Sequence, residues 1–269
     1  MKSGTNTWHG SATWVNHSGF GDASNYFSNG QKTNIHNNQF NTTIGGPIIK
    51  DKAFIFGFYE GQRYKSLALS SRTVPTQAQI KGALDDIEAN GLNVDPVGQA
   101  LLNFFPVDND SNPDDGQVVV QTPTTASANT FGIKFDYKLN SKNSFAARYI
   151  LGDSLQSAPP FAGLPPAPGN PPDLFNSRAP SRAQMAGVSW VSNFGNNKIL
   201  ESRLGFTRFS QLLGISNSID PQSLGLDTGP LSPADFGVPY VYLLPLGYGG
   251  YVGGVQGYPI TTRPDQTWV

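Results

Sequence analysis

The sequence contains no cysteine, little charge and no long apolar run. Without cysteine among its 269 residues, the chain cannot be a disulfide scaffold, a thiol enzyme, a zinc ribbon or an iron–sulfur protein. Asp, Glu, Lys and Arg make up 14 % of the residues, against about 25 % in ordinary globular domains. The formal net charge of −1 argues against a nucleic-acid partner, which requires an excess of Lys and Arg.

Helical membrane segments are also missing from the pattern. No stretch approaches the roughly 18 consecutive apolar residues of a transmembrane helix. Residues 1–6 lack the apolar core of a signal peptide, so we expect none here. The 30 glycines and 21 prolines argue against long uninterrupted helices and favour strands and loops.

Seven segments have the alternation and the aromatic and β-branched enrichment that predict β-strands. They span residues 8–17, 36–47, 53–64, 129–139, 144–153, 184–194 and 198–210. The fourth is the clearest, because Phe131 and Ile133 alternate with Gly132 and Lys134. Such a strand has one apolar face and one polar face. We therefore predict an all-β, antiparallel fold.

Short and long connections alternate strictly between these strands. The short turns are predicted at 45–52, 140–143 and 195–197. About 18, 64 and 30 residues follow the first, third and fifth strands, and 59 residues follow the seventh. Several long structureless connections are unusual in a compact domain, whereas an outer-membrane β-barrel has short periplasmic turns and long outer loops. The alternative is a soluble β-sandwich with elaborate loops.

The long connections contain local signals of their own. A first helix is predicted to begin at 75–79, and a second, capped by Asp95, is predicted to end before Pro106. Residues 157–180 are proline-rich and predict an extended surface loop. Residues 239–259 alternate aromatic residues with glycine and receive no assignment.

An acidic loop is the one candidate for a metal site. Its carboxylates are Asp108, Asp110, Asp114 and Asp115. An EF-hand loop needs Gly where Pro113 stands and Glu where Val119 stands, so the pattern fails on both counts. We expect a solvated loop, with a weak calcium site as the alternative, and no cofactor. His9, His17 and His36 match no ligand spacing.

No catalytic constellation is present, so we do not expect an enzyme. The chain has no Gly-x-Ser-x-Gly elbow, and residues 247–257 lack a Gly-x-Gly-x-x-Gly match. Loop aromatics could instead stack on an amphipathic ligand, or they could pack the loops and anchor them at an interface. These aromatics are Phe104, Phe105, Phe161, Phe175 and the tyrosines between 240 and 258.

Three stretches carry a family resemblance. They are Lys2-Ser3-Gly4-Thr5-Asn6 with Trp8-His9-Gly10-Ser11; Asn38-Gln39-Phe40 with residues 44–52 and 54–61; and residues 73–76 with 94–102. The first resembles the point where a TonB-dependent receptor leaves its plug domain and enters barrel strand one. The second resembles the strand–turn–strand of the Oar-like subgroup, which often carries a carboxypeptidase-regulatory-like domain, and the third matches the first large loop.

The resemblance implies a partial transmembrane β-barrel in the outer membrane of a Gram-negative-type bacterium. Residues 1–269 would form one barrel domain, with strands over about 8–210 and a loop or truncated region over 211–269. Plug, signal peptide and TonB box are absent, so we expect a fragment of a longer receptor. The implied function is active uptake of an unknown extracellular ligand. Its implied partners are membrane lipid, the plug and missing strands, and the TonB complex through that plug. A soluble sandwich used for adhesion or carbohydrate binding is the alternative.

The resemblance also implies an orientation for the strands. Short turns would face the periplasm and long loops the outside. Polar side chains would then point into the lumen, namely Lys134, Asp136, Lys138, Glu201 and Arg203. The aromatic faces, such as that of Phe54, Phe56 and Phe58 in the third strand, would meet lipid.

Overall fold

The fold is a large antiparallel sheet whose long connections gather at one end. The computed structural model describes residues 1–24, 26, 32, 34–107, 115–159, 163–195, 197–229, 232–243, 246–254, 260–262 and 264–268. Seven long strands are β1 His9–Ser18, β2 Asn34–Ile49, β3 Ala53–Thr73, β4 Gln117–Lys138, β5 Asn143–Ala158, β6 Ser177–Phe194 and β7 Lys198–Ile215. Each pairs with its neighbours in sequence, so the sheet is an up-and-down meander.

The existence and order of all seven predicted strands are confirmed. The predicted bounds are too short at the loop end, because β3 runs to Thr73 and β4 begins at Gln117. Their ladder is continuous from Ala53–Tyr137 to Thr73–Gln117. Backbone pairing needs no apolar side chain, so the strands continue where the alternation stops. At roughly 3.3 Å per residue, the 21 residues of β3 extend about 70 Å.

The expectation that 211–269 is loop or truncated region is wrong for its last residues. Strands β10 Ile260–Thr262 and β11 Asp265–Trp268 both pair with β7, and they do so in the same register. Between them, the Pro264 carbonyl accepts a hydrogen bond from the Phe209 N–H at 3.1 Å. They therefore act as one further strand, which raises the predicted seven strands to eight. The sheet remains open, since β1 and this strand each have one partner strand among the described residues.

The connections at the short-turn end are tight. Asn140 Oδ1 accepts hydrogen bonds from the backbone N–H of Lys142 and Asn143, at 2.9 and 2.8 Å, which closes the β4–β5 turn. The predicted turn over 45–52 is shorter in the structure, because β2 continues to Ile49. Asp51 turns there with a φ of 62°. Asn196, in the middle of the third predicted turn, lies outside the described residues.

Both predicted helices are confirmed in the β3–β4 connection. Helix α1 spans Gln77–Ala89 and begins with a capping box, in which Thr76 and Gln79 each bond to the other's backbone N–H. Helix α2 spans Pro96–Leu102, and the Asp95 carboxylate accepts from the N–H groups of Val97 and Gly98. No described helix is long and apolar enough to cross a membrane.

The buried hydrophobic core lies among the loops rather than under the sheet. Its members come from the β3–β4 connection with the adjoining start of β4, the β5–β6 connection and the region after β7. They are Val74, Phe104, Phe105, Val118, Leu164, Leu174, Phe175, Val238 and Val252. A small hairpin of β8 Val241–Tyr242 and β9 Tyr251–Val252 completes this region. We call it the loop assembly.

Candidate functional site

One face of the sheet carries a band without charge. We call it the belt face; it holds the odd-numbered residues of β3–β5 and the even-numbered residues of β1, β2, β6 and β7. The charge-free band consists of the belt-face residues within seven ranges, given from β1 to β7: 10–14, 40–46, 55–61, 131–137, 145–151, 186–190 and 200–206. No Asp, Glu, Lys or Arg occurs on the belt face in these described segments. Large side chains there, such as Ile133 and Leu204, are nevertheless exposed.

Aromatic residues with bonded polar tips border the band toward the loop end. Trp14 Nε1 donates to Asn38 Oδ1 at 3.1 Å, and the Tyr59 hydroxyl donates to Asn129 Oδ1 at 2.8 Å. A ring with an apolar body and a polar tip suits the boundary between hydrocarbon and headgroups. This row is therefore the pattern of an interfacial aromatic girdle.

A second aromatic row borders the band toward the short turns. The Phe145 and Trp190 rings stack with centroids 6.1 Å apart, and Trp190 Nε1 donates to Asn143 Oδ1 at 3.1 Å. The Lys52 ammonium lies 5.7 Å from the centroid of the Tyr137 ring. The charge-free band thus lies between two aromatic rows, each fixed by polar partners at its outer side.

The opposite face carries the charges, and we call it the charged face. Over the same segments it holds Glu60, Lys134, Asp136, Arg148, Glu201 and Arg203. Lys134 pairs with Asp136 at 3.0 Å, and Lys134 is also opposite Arg148 in the β4–β5 ladder. Lys134, Arg148 and Arg203 line a shallow cavity of about 540 Å³. The five polar residues predicted to share one face therefore do so.

The prediction that every aromatic face meets the apolar side is wrong for β3. Phe54, Phe56 and Phe58 are in register with Asp136, Lys134 and Gly132, which places them on the charged face. Phe54 is 9 % exposed and Phe56 5 %, whereas Tyr59 on the belt face is 39 % exposed. Alternation in the sequence shows that the two faces of a strand differ. When both faces carry aromatic residues, only the pairing with neighbouring strands identifies the face that belongs to the charge-free band.

The first residues of the chain lie on the charged face beside these phenylalanines. Lys134 Nζ donates to the Ser3 hydroxyl at 2.6 Å, and Asn6 Oδ1 accepts from the Asp51 N–H at 2.8 Å. A Cβ on Gly4 would lie 2.7 Å from the Gly46 carbonyl oxygen, so only glycine permits this approach. The segment before β1 is thus bound to the sheet rather than free of it.

Backbone and side-chain hydrogen bonds join the parts of the loop assembly. The Leu164 N–H donates to the Tyr251 carbonyl at 2.7 Å, and the Ala167 N–H donates to the Phe104 carbonyl at 3.1 Å. The amide of Asn176, 2 % exposed, donates to the Pro123 carbonyl and to Ser157 Oγ at 3.0 and 3.1 Å. Three connections distant in sequence therefore form one packed unit at the loop end.

The loop aromatics divide between packing and exposure. Phe104, Phe105 and Phe175 are 8, 6 and 3 % exposed, so they pack the loops and do not present rings to a ligand. Of the tyrosines, Tyr251 is buried, while Tyr240 and Tyr242 are 45 and 40 % exposed with ring centroids 5.8 Å apart. Phe161 and Tyr258 lie outside the described residues. Burial here depends on contacts between separate loops, which no local pattern reveals.

The metal candidates are not brought together in the part that the structure describes. Asp108, Asp110 and Asp114 lie outside it, and Asp115 Oδ1 accepts from the Gln117 N–H at 2.8 Å. His17 contacts Asp22 at 3.1 Å, while His9 contacts the Thr7 carbonyl at 2.9 Å. No three His, Cys, Asp or Glu side chains among the described residues could hold a metal ion.

A charge-free, aromatic-bordered face on a long antiparallel meander defines the wall of a transmembrane β-barrel. Over residues 1–269 the sequence matches the outer membrane beta barrel domain, and the chain belongs to that family. It is therefore an outer-membrane barrel protein located in the bacterial outer membrane. No curated protein matches the sequence significantly. The soluble sandwich is not favoured.

Proposed function

We propose that this chain is the wall and loop region of a TonB-dependent receptor of the Oar-like type, used for energy-driven uptake of an extracellular ligand. The observation that carries the proposal is the segment 2–11, which resembles the plug-to-barrel junction and whose first residues, 3–6, lie on the charged face and at the adjoining turn. A plug fills the lumen of such a receptor. A chain leaving it must therefore reach the first strand from the luminal side, as Ser3 and Asn6 do here.

The open sheet supports a larger barrel. Strand β1 and the strand formed by β10 and β11 run in opposite directions at the two ends of the eight-strand meander. Unpaired edges cannot remain in a membrane, because every backbone N–H and C=O must be bonded there. An even number of further antiparallel strands would close this sheet, in agreement with the even strand counts of bacterial barrels. These strands and the plug are the proposed partners within one receptor.

The same arrangement supports roles for the two faces and for the loops. Charged side chains such as Lys134, Arg148 and Arg203 would line the lumen and contact the plug. The loop assembly would form the outer surface that first meets the ligand, with Tyr240 and Tyr242 exposed on it. The TonB complex would act through the plug. Membership of an outer-membrane barrel family favours a transport or structural role for this chain over a catalytic one.

The size and location of the native product test this proposal. An antibody raised against the 74–107 loop would be used on separated membrane fractions of the source cells. We expect an outer-membrane band several times larger than 28.9 kDa, because the plug and further strands belong to the same polypeptide. An outer-membrane band near 28.9 kDa would contradict the receptor proposal and leave a small barrel protein. A band near that size in a soluble fraction would contradict the membrane assignment as well.

A further inference from the structure

Basic residues gather on the belt face just beyond the charge-free band, toward the loop end. They are Arg63, Lys65, Arg178, Arg182 and Arg208, and all five are exposed. On this face of the described strands, Asp153 is opposite Arg182. The same face is uncharged below this level, so the change from no charge to positive charge is abrupt.

The level at which these residues begin follows the tilt of the strands. Arg182 is opposite Asp153, which is opposite Asn129. Arg208 is opposite Gln184, which is two residues closer to the band than Arg182 on β6. Arg63 is one step higher than Asn129, which is itself opposite Gly61. A plane that crosses tilted strands meets each of them at such a stepped position. Arg63, Arg182 and Arg208 therefore follow one stepped line beside the band, while Lys65 lies two residues beyond Arg63 and Arg178 four residues beyond Arg182, both toward the loop end.

Two of these basic residues have no partner among the described residues, and a third keeps N–H donors for another acceptor. Neither Lys65 nor Arg178 has a hydrogen bond or ion pair within the part of the chain that the structure describes. Arg182 bonds Asp153 through Nε at 2.6 Å, and its side chain stays 60 % exposed. The guanidinium has five N–H donors, so this contact leaves its terminal amino groups for another acceptor. Lys65 and Arg178 are in register across β3–β6, about 14 Å apart at roughly 4.8 Å per strand.

We propose that Lys65, Arg178 and Arg182, with Arg63 and Arg208 beside them, bind the phosphate groups of a glycolipid in the outer leaflet. Phosphates lie at this level of a bilayer, beside the aromatic row that borders the hydrocarbon. Arginine forks bind phosphate oxygens through two parallel hydrogen bonds, and lysine adds a point charge. Basic clusters next to membrane-embedded segments recognise anionic headgroups in the same way. The inference rests on the proposed orientation, in which the long loops face outside.

A binding titration with matched variants tests this site. The native product would be extracted in mild detergent, fluorescently tagged, and titrated with purified bisphosphorylated lipid A and with the same lipid after removal of its phosphates. The site variant combines Lys65→Gln, Arg178→Gln and Arg182→Gln. The control combines Lys134→Gln, Arg148→Gln and Arg203→Gln, which removes the same residue types from the opposite face. Each variant is used only if it retains heat-modifiable migration, which reports a folded barrel.

We expect the site variant to lose affinity for the phosphorylated lipid by tenfold or more and the control to stay within about twofold. Asp153→Asn is expected to raise the affinity, because it removes a competing anion and releases Arg182. Equal losses in both triple variants, or equal binding of the phosphate-free lipid, would overturn the proposal. If the site variant does not fold, Asp153→Asn decides alone: an unchanged or lower affinity contradicts the site. The titration measures only the affinity for the lipid and depends neither on the size of the native product nor on uptake. The lipid site can therefore be disproved while the proposed function stands, and the reverse also holds.

Discussion

Replacing Ile133 by arginine is expected to destabilise the membrane-embedded protein by about 2–4 kcal/mol, the cost of a charge on a lipid-facing strand position at mid-bilayer. Ile133 lies in the middle of the charge-free band of β4, is 47 % exposed, and has Gly57 and Tyr149 opposite it on the belt face. An arginine there cannot reach either border without crossing apolar neighbours. We expect a sharp fall in folded protein in the outer membrane and a lower urea midpoint in lipid.

The matched control for this variant is Ile150→Arg. Ile150 is on the neighbouring strand β5, but it is opposite Gly132 and Met185 on the charged face. The same change of side chain there should cost less than about 1 kcal/mol, because the lumen of a barrel tolerates polar groups. If both variants lost stability equally, the two faces would not differ in environment and the barrel interpretation would be wrong.

Truncation of Phe175 to alanine is expected to open the loop assembly while the sheet persists. Phe175 is 3 % exposed, and its ring meets the Phe104 ring edge-to-face with centroids 6.0 Å apart. Loss of a buried phenylalanine costs about 3–5 kcal/mol, including the cavity that it leaves. That cost is concentrated on a core of nine buried residues, so the connections should separate locally. Limited proteolysis on intact cells should then cut within 74–107 at least tenfold faster.

Phe20→Ala provides the control, since Phe20 is 94 % exposed and lies in another connection. It should leave the cleavage rate unchanged. An unchanged rate in Phe175→Ala would show that the loops do not depend on a shared core. Cleavage of intact cells at the 140–142 turn, with none in the long connections, would instead reverse the proposed orientation of the barrel.

The sequence allowed the membrane-spanning part of the sheet to be predicted because there the apolar and polar faces must differ. In β4, Phe131 to Tyr137 alternate with glycine and charged residues, so strand and faces could both be read. The cap residues Thr76 and Asp95 likewise act on their own helix. Both kinds of signal are local, and both were confirmed.

What could not be predicted depends on partners far away in sequence. The eighth strand is short, is interrupted at Pro264, and exists through its register with β7. The face of Phe56 follows from its pairing with Lys134 across a long connection. The burial of Phe104 requires three separate connections to meet. The basic residues can be seen in the sequence, but the ladder is needed to place them on one face of the sheet.

Accessibility of alternate residues in β4 tests the central claim, that one face of this sheet meets lipid and the other a lumen. The chain has no cysteine, so each of residues 131 and 133–136, replaced singly, gives one thiol in this segment. A lipid-soluble maleimide should label positions 131, 133 and 135, and a water-soluble one should label 134 and 136. Labelling without this two-residue period, or with the two sets exchanged, would contradict the account.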